Sequence, residues 1–271
     1  MNALAGYLIL PLIEVPLIDS GRIPVLIAAV VSILVVLYTT LYRRGRESFR
    51  MREIGGLKAI EEAIGRSTEM ARPLLYTPGW GGDIQRPTTI ASMNILSHVA
   101  EITARYDCPL IYPTHDPLIM TLAQEVIRES YARAGYPDRV REDNILYVSS
   151  SQFGYAAAVD GLIARNQPAS VFLLGTFEAE SLILAETGNS IGAIQIAGTD
   201  STIQLAFFIV ACDYTLIGEE LFAASGYLSG DPSILSSVRA QDILKILIVI
   251  LLIVLTVWAT IDPSAGWWDF Q

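Results

Sequence analysis

Five short polar stretches each follow an apolar run, and each carries residue types that do chemistry. His115-Asp116 could move protons, since an imidazole beside a carboxylate is the usual acid–base pair. The stretch Ser149-Ser150-Ser151-Gln152 offers hydroxyls for an anion nest, or a polar helix cap. Thr77-Pro78-Gly79-Trp80-Gly81-Gly82 has the glycine density of a phosphate-holding loop, or of a turn that needs glycine for steric reasons alone. Thr176 and Glu178 follow the fourth run, and Thr199-Asp200-Ser201-Thr202 the fifth. The known signatures are missing. No Gly-Lys-Ser/Thr follows the glycines, there is no G-x-G-x-x-G, and no G-x-S-x-G elbow supports a serine nucleophile. Asp116 before Pro117 suits a helix N-cap, which gives it a structural use. The only base near the glycines is Arg86, and Asp83 is closer. The expectation is therefore a candidate ligand-binding set, Thr77, Gly79, Gly81, Gly82, Thr114, His115, Asp116, Ser150, Ser151, Thr176, Thr199 and Asp200, with no catalytic residue. No cofactor is expected, and no metal, because Cys108, Cys212, His98 and His115 form no ligand cluster.

The elements that must position these residues alternate. Apolar runs at 73–76, 109–112, 145–150, 170–175 and 191–198 read as strands. Helices read between them at Thr88 to Arg105, Pro117 to about Ala134, Phe153 to Arg165, and along FEAESLILAE. The apolar stretch Ile203 to Ile217, interrupted by Asp213, reads as a core helix, with a re-entrant piece as the alternative. Strands that are apolar throughout imply a parallel sheet covered on both faces. The fold class is thus α/β, with about five mostly parallel strands and helices on both faces. In such a sheet ligands bind beyond the carboxyl ends of the strands, which is where the candidate residues fall.

Two further runs bound this domain. Ile23 to Tyr42 is free of charge, and Ile246 to Ile261 likewise. Each reads as a transmembrane helix. With 52% hydrophobic residues and a mean hydropathy of +0.45, the chain is apolar for a soluble protein. Arg43, Arg44, Arg46, Arg50 and Arg52 follow the first run, Arg239 and Lys245 precede the second, and no base follows it. The positive-inside rule then predicts an extracytoplasmic segment 1–22, a span 23–42, a cytoplasmic domain 43–245, a span 246–261 and an extracytoplasmic tail 262–271. Trp258, Trp267 and Trp268 would sit at the outer interface. Between residues 145 and 238 the acids Asp160, Glu178, Glu180, Glu186, Asp200, Asp213, Glu219, Glu220 and Asp231 face one base, Arg165, which excludes nucleic acid as a partner.

EEAIGRSTEMARPLLYTPG (61–79) and TIQLAFFIVACDYTLIGEELFAASGYLS (202–229) resemble an uncharacterised family of bacterial membrane proteins known only as a domain of unknown function. The resemblance implies a bacterial inner-membrane protein with a cytosolic α/β domain, and carries no activity and no catalytic residue. Lacking a catalytic constellation, the chain reads more readily as a structural, scaffold or binding protein than as an enzyme. The expected partners are the lipid bilayer and either further copies of the chain or other membrane-protein subunits. Ala28 and Ser32, four apart in the first span, allow close helix approach. The alternative is a membrane-anchored enzyme or sensor for a small ligand at the carboxyl ends of the strands.

Overall fold

The computed structural model describes residues 23–42, 55–230 and 232–261. The expectations for 1–22, the arginine cluster 43–52, Trp267 and Trp268 lie outside them. The chain divides into two units, Glu47–Val238, and Met1–Arg46 with Arg239–Gln271.

In the first of these, α2 (Gly55–Glu69) leads into β1 (Leu74–Thr77), and the chain then alternates as α3 (Pro87–Tyr106), β2 (Leu110–Thr114), α4 (Pro117–Ala134), β3 (Ile145–Tyr147), α5 (Gln152–Asn166), β4 (Ser170–Leu174), α6 (Glu180–Ser190), β5 (Ile194–Thr199), α7 (Thr202–Ala211), β6 (Tyr214–Ile217) and α8 (Glu220–Ser229). All strand pairs are parallel, in the order β3-β2-β1-β4-β5-β6. The order reverses between β1 and β4, which is the switch point of a doubly wound sheet.

Side-chain alternation splits the core into two layers. Leu74, Tyr76, Phe172, Leu174, Ile196 and Leu216 pack with Ile95, Leu96 and Val99 of α3 and Ile119 and Ala123 of α4. Leu75, Ile111, Val171, Leu173 and Ala197 point the other way, onto Tyr155 and Val159 of α5, Leu184 of α6 and Phe208 of α7. Both faces are buried, which is why the strands read as unbroken apolar runs. Local signals place the helix ends. Asp116 accepts a hydrogen bond from Leu118 N at 2.7 Å and Pro117 takes the first helical position. Gly135 ends α4 at φ 88°.

Two expectations change here. The sheet has six strands, since the stretch Ile203 to Ile217 is a helix followed by a strand. Asp213 makes the break: its carboxylate accepts a hydrogen bond from Gln195 N at 2.8 Å at the start of β5, so the chain turns there and pairs along β5. Nor is α7 a core helix on all sides. Leu205 and Phe208 are buried, whereas Ile203 and Val210 are 70% and 88% exposed.

The other unit contains α1 (Ile23–Tyr42) and α9 (Pro232–Ile261) from Arg239 onward. By length and composition one helix among the described residues is able to cross a membrane, along Ser236–Val257, where two were expected. That segment begins ten residues earlier than the expected span at 246. Within α1, Leu26–Thr39 is a shorter apolar helical segment.

Candidate functional site

Because every strand is parallel, the loops leaving them lie at one end of the sheet. Connectivity therefore gathers all twelve candidate residues there: Thr77, Thr114 and Thr199 as the last residues of β1, β2 and β5, and Gly79, Gly81 and Gly82 after β1, His115 and Asp116 after β2, Ser150 and Ser151 after β3, Thr176 after β4 and Asp200 after β5.

At the switch point two of these loops mesh. Thr176 N donates to Pro78 O and Gly81 N donates to Thr176 O, each at 3.0 Å, so the β1–β4 pairing continues beyond both strands. Glycine is required for this approach. Gly79 has φ +82°, and a Cβ on it would lie against the Thr176 carbonyl, 2.8 Å from its carbon. A Cβ on Gly175 would meet the Pro78 carbonyl from the other side, 2.7 Å from its carbon. The glycines here serve backbone packing.

Two amides at this point are already occupied by a carboxylate. Glu180 opens α6 and is buried. Its Oε1 accepts from Trp80 N at 3.0 Å and from Glu178 N at 3.1 Å, and its Oε2 accepts from Gln152 Nε2 at 2.9 Å. No ion pair to this carboxylate exists among the described residues; amide donors meet its needs. The chain thus supplies its own anion to the donors of the glycine loop.

Around this centre Trp80 Nε1 donates to Ser150 O at 2.9 Å, and the Trp80 ring lies 5.9 Å from that of His115. His115 in turn meets Tyr155 edge-on at 6.1 Å. The Tyr155 hydroxyl hydrogen-bonds Thr77 Oγ1, which reaches Pro113 O at 3.2 Å. Thr88 Oγ1 donates to Asp200 at 2.7 Å and ties the start of α3 to the loop after β5. Burial lowers the His115 pKa below 6.5, against the opposing pull of Asp116, so the ring is neutral at pH 7. Burial also raises the Tyr155 pKa well above its ordinary range.

His115 and Asp116 do not form a working dyad. The Asp116 carboxylate caps α4, and His115 Nδ1 is buried without a partner. Ser151 gives α5 no side-chain cap; instead Ser149 Oγ accepts from Ser151 N at 3.1 Å. Three buried polar atoms at this end lack a hydrogen-bond partner: His115 Nδ1, Thr89 Oγ1 and Thr176 Oγ1. The two threonines border the glycines, with Thr89 Oγ1 3.4 Å from where a Gly82 Cβ would stand, and Thr176 Cγ2 2.9 Å from a Gly81 Cβ. A small ligand or water with hydrogen-bonding groups would satisfy them. Among the described residues no group of three or more His, Cys, Asp or Glu is arranged to hold a metal ion. Glu180, Tyr155 and Thr89 were not among the expected residues. Only the Glu178-x-Glu180 pair, acidic residues beside an apolar helix start, hinted at the first.

No curated protein and no solved structure matches the chain. Residues 14–267 of its 271 match the family described as "Domain of unknown function (DUF6754)", and the chain belongs to that family.

Proposed function

We propose that this chain is a membrane-anchored binding or scaffold protein, working as an oligomer or as a subunit of a larger membrane assembly. One observation carries the reading: the crevice where a doubly wound sheet usually holds its ligand is filled by meshed loops and by the Glu180 carboxylate. In this reading α9 crosses the bilayer and α1, a helix of 20 residues without a charge, crosses it as well. Internal satisfaction of hydroxyls supports this. Ser32 donates to Ala28 O at 2.8 Å, Thr39 to Val35 O at 3.0 Å and Thr256 to Leu252 O at 2.7 Å, as hydrocarbon surroundings demand. The arginines after α1 support a reading in which the α/β domain lies on the cytoplasmic side of a bacterial inner membrane, with both termini outside.

Native mass spectrometry of the full chain, extracted in mild detergent, tests the reading. Homo-oligomers or stoichiometric protein subunits are expected; a strictly monomeric particle overturns it. A second reading is a sensor or enzyme for a small, weakly charged ligand, favoured by the unpartnered Thr89 and Thr176 hydroxyls and His115 Nδ1. A retained small molecule on a monomer would establish that alternative.

A further inference from the structure

The carboxyl end of the sheet differs from the rest of the surface of the α/β unit. Ile84 in the loop after β1, Ile90, Leu118, Phe153 and Ile203 in the first turns of α3, α4, α5 and α7, and Ile217 at the end of β6 are all exposed. Phe153 is 76% exposed, Ile203 70% and Leu118 64%. These side chains stand around the rim formed by the loops and first helical turns at this end. Exposed apolar side chains also stand at the opposite end, among them Val210 and Ile209 at the close of α7, so what sets the carboxyl end apart is its charge.

The same loops carry charge of one sign. In the segments leaving the six strands, the exposed or half-exposed acids are Asp83, Asp116, Glu178, Asp200, Glu219 and Glu220, and the only base is Arg86. Asp83, Asp116, Glu178, Asp200 and Glu220 accept hydrogen bonds from N–H or hydroxyl donors, and none of these five is ion-paired among the described residues. Beneath them lie the unpartnered hydroxyls of Thr89 and Thr176, 1% and 4% exposed.

We infer that the carboxyl end of the sheet is a docking face for a partner-protein segment in which lysine or arginine stands beside aliphatic or aromatic residues. Charge selects this occupant. An anionic lipid surface is repelled by unpaired carboxylates. The same face of a second copy brings identical carboxylates together. A basic, apolar segment neutralises the acids and covers the isoleucines and Phe153 in one contact. The inference rests on the binding reading above and names the chemistry of the partner.

The test uses the full chain in its native membrane, with a photoreactive benzoylphenylalanine replacing Phe153 or Ile203, and Tyr106 at the far end as control. The expected result is an adduct from the first two positions only, whose partner peptide, read by mass spectrometry, has Lys or Arg within a few residues of Leu, Ile or Phe. Asp83→Lys with Glu178→Lys should weaken that adduct roughly tenfold, since like charges then face each other. Asp138→Lys, away from this end, should not. Should the double variant melt early, Asp200→Lys repeats the charge reversal at a separate loop. No adduct, a lipid adduct, an adduct with another copy of this chain, or one indifferent to charge reversal overturns the inference. Stoichiometric subunits without an adduct here remove this face alone; absence of any associated protein removes the binding reading as well.

Discussion

Replacing Gly79 by alanine tests the closed switch point directly. The backbone there has φ +82°, so a residue with a Cβ incurs about 1–2 kcal/mol from conformation alone. The new Cβ would also overlap the Thr176 carbonyl, a backbone atom that cannot rotate away. Relief requires the two loops to part, with loss of the hydrogen bonds Thr176 N to Pro78 O and Gly81 N to Thr176 O. At about 1 kcal/mol each, these bring the total to roughly 3–4 kcal/mol. Gly135→Ala supplies the reference. Gly135 has φ +88° and nothing within 4 Å of its would-be Cβ, so that variant meets the conformational cost without the overlap. Denaturant unfolding of the purified chain, followed by Trp80 fluorescence with Trp258, Trp267 and Trp268 replaced by Phe in every variant, should place Gly79→Ala about 2 kcal/mol below Gly135→Ala. Equal losses in the two variants would refute the argument that the loops mesh at this glycine.

Glu180→Ala leaves Trp80 N and Glu178 N without their acceptor and should cost about 2–4 kcal/mol, while Glu180→Gln, which keeps an amide oxygen, should cost less than half of that; unfolding midpoints give both. Added phosphate should raise the Tm of Glu180→Ala more than that of the parent, because the variant frees the amides of Trp80 and Glu178. Stability should also fall on mild acidification. His98 and His115 both have pKa values below 6.5, chiefly through burial, so the unfolded chain binds more protons just under that pH. Their contribution is complete above about pH 7 and is lost as pH drops toward the folded-state values, so melts between about pH 7.5 and 5 should show a declining Tm that His98→Gln with His115→Gln flattens. For topology, an alkaline-phosphatase fusion after Gln271 should be active and one near Gly135 inactive; the reverse pattern would invert the proposed orientation.

The parts of the fold that local chemistry dictates were legible in the sequence. Pro117 and Gly135 bound α4 because a fixed φ and a left-handed φ are properties of single residues. The strands β1, β2, β4 and β5 announced themselves because burial on both faces makes them largely apolar, with no charged position. β6 did not, because Tyr214–Ile217 continues the hydrophobicity of α7 and only Asp213 parts them. What separates the two is a bond from Asp213 to Gln195, and no periodicity reports a contact eighteen residues away. The site divides the same way. Topology alone carries the candidate residues to one end. What fills that end is Glu180 reaching back to Trp80, one hundred residues earlier in the chain.

That filling bears on how this fold is used. A doubly wound sheet opens a crevice at its switch point because the chains on either side depart to opposite faces. Here they do not part at once. β1 and β4 stay hydrogen-bonded through Pro78, Thr176 and Gly81, and Gly175 N holds the β5 side by donating to Gly198 O at 2.9 Å. Two glycines, Gly79 and Gly175, permit this, each giving up a Cβ to the other loop's carbonyl. The doubly wound frame is kept while the two loops mesh at its switch point, and the carboxylate of Glu180 accepts from Trp80 N and Glu178 N there. Beyond the meshed loops, the outward side chains of the rim are also open to recognition. Those side chains are apolar and acidic, which is the chemistry the proposed docking face would use.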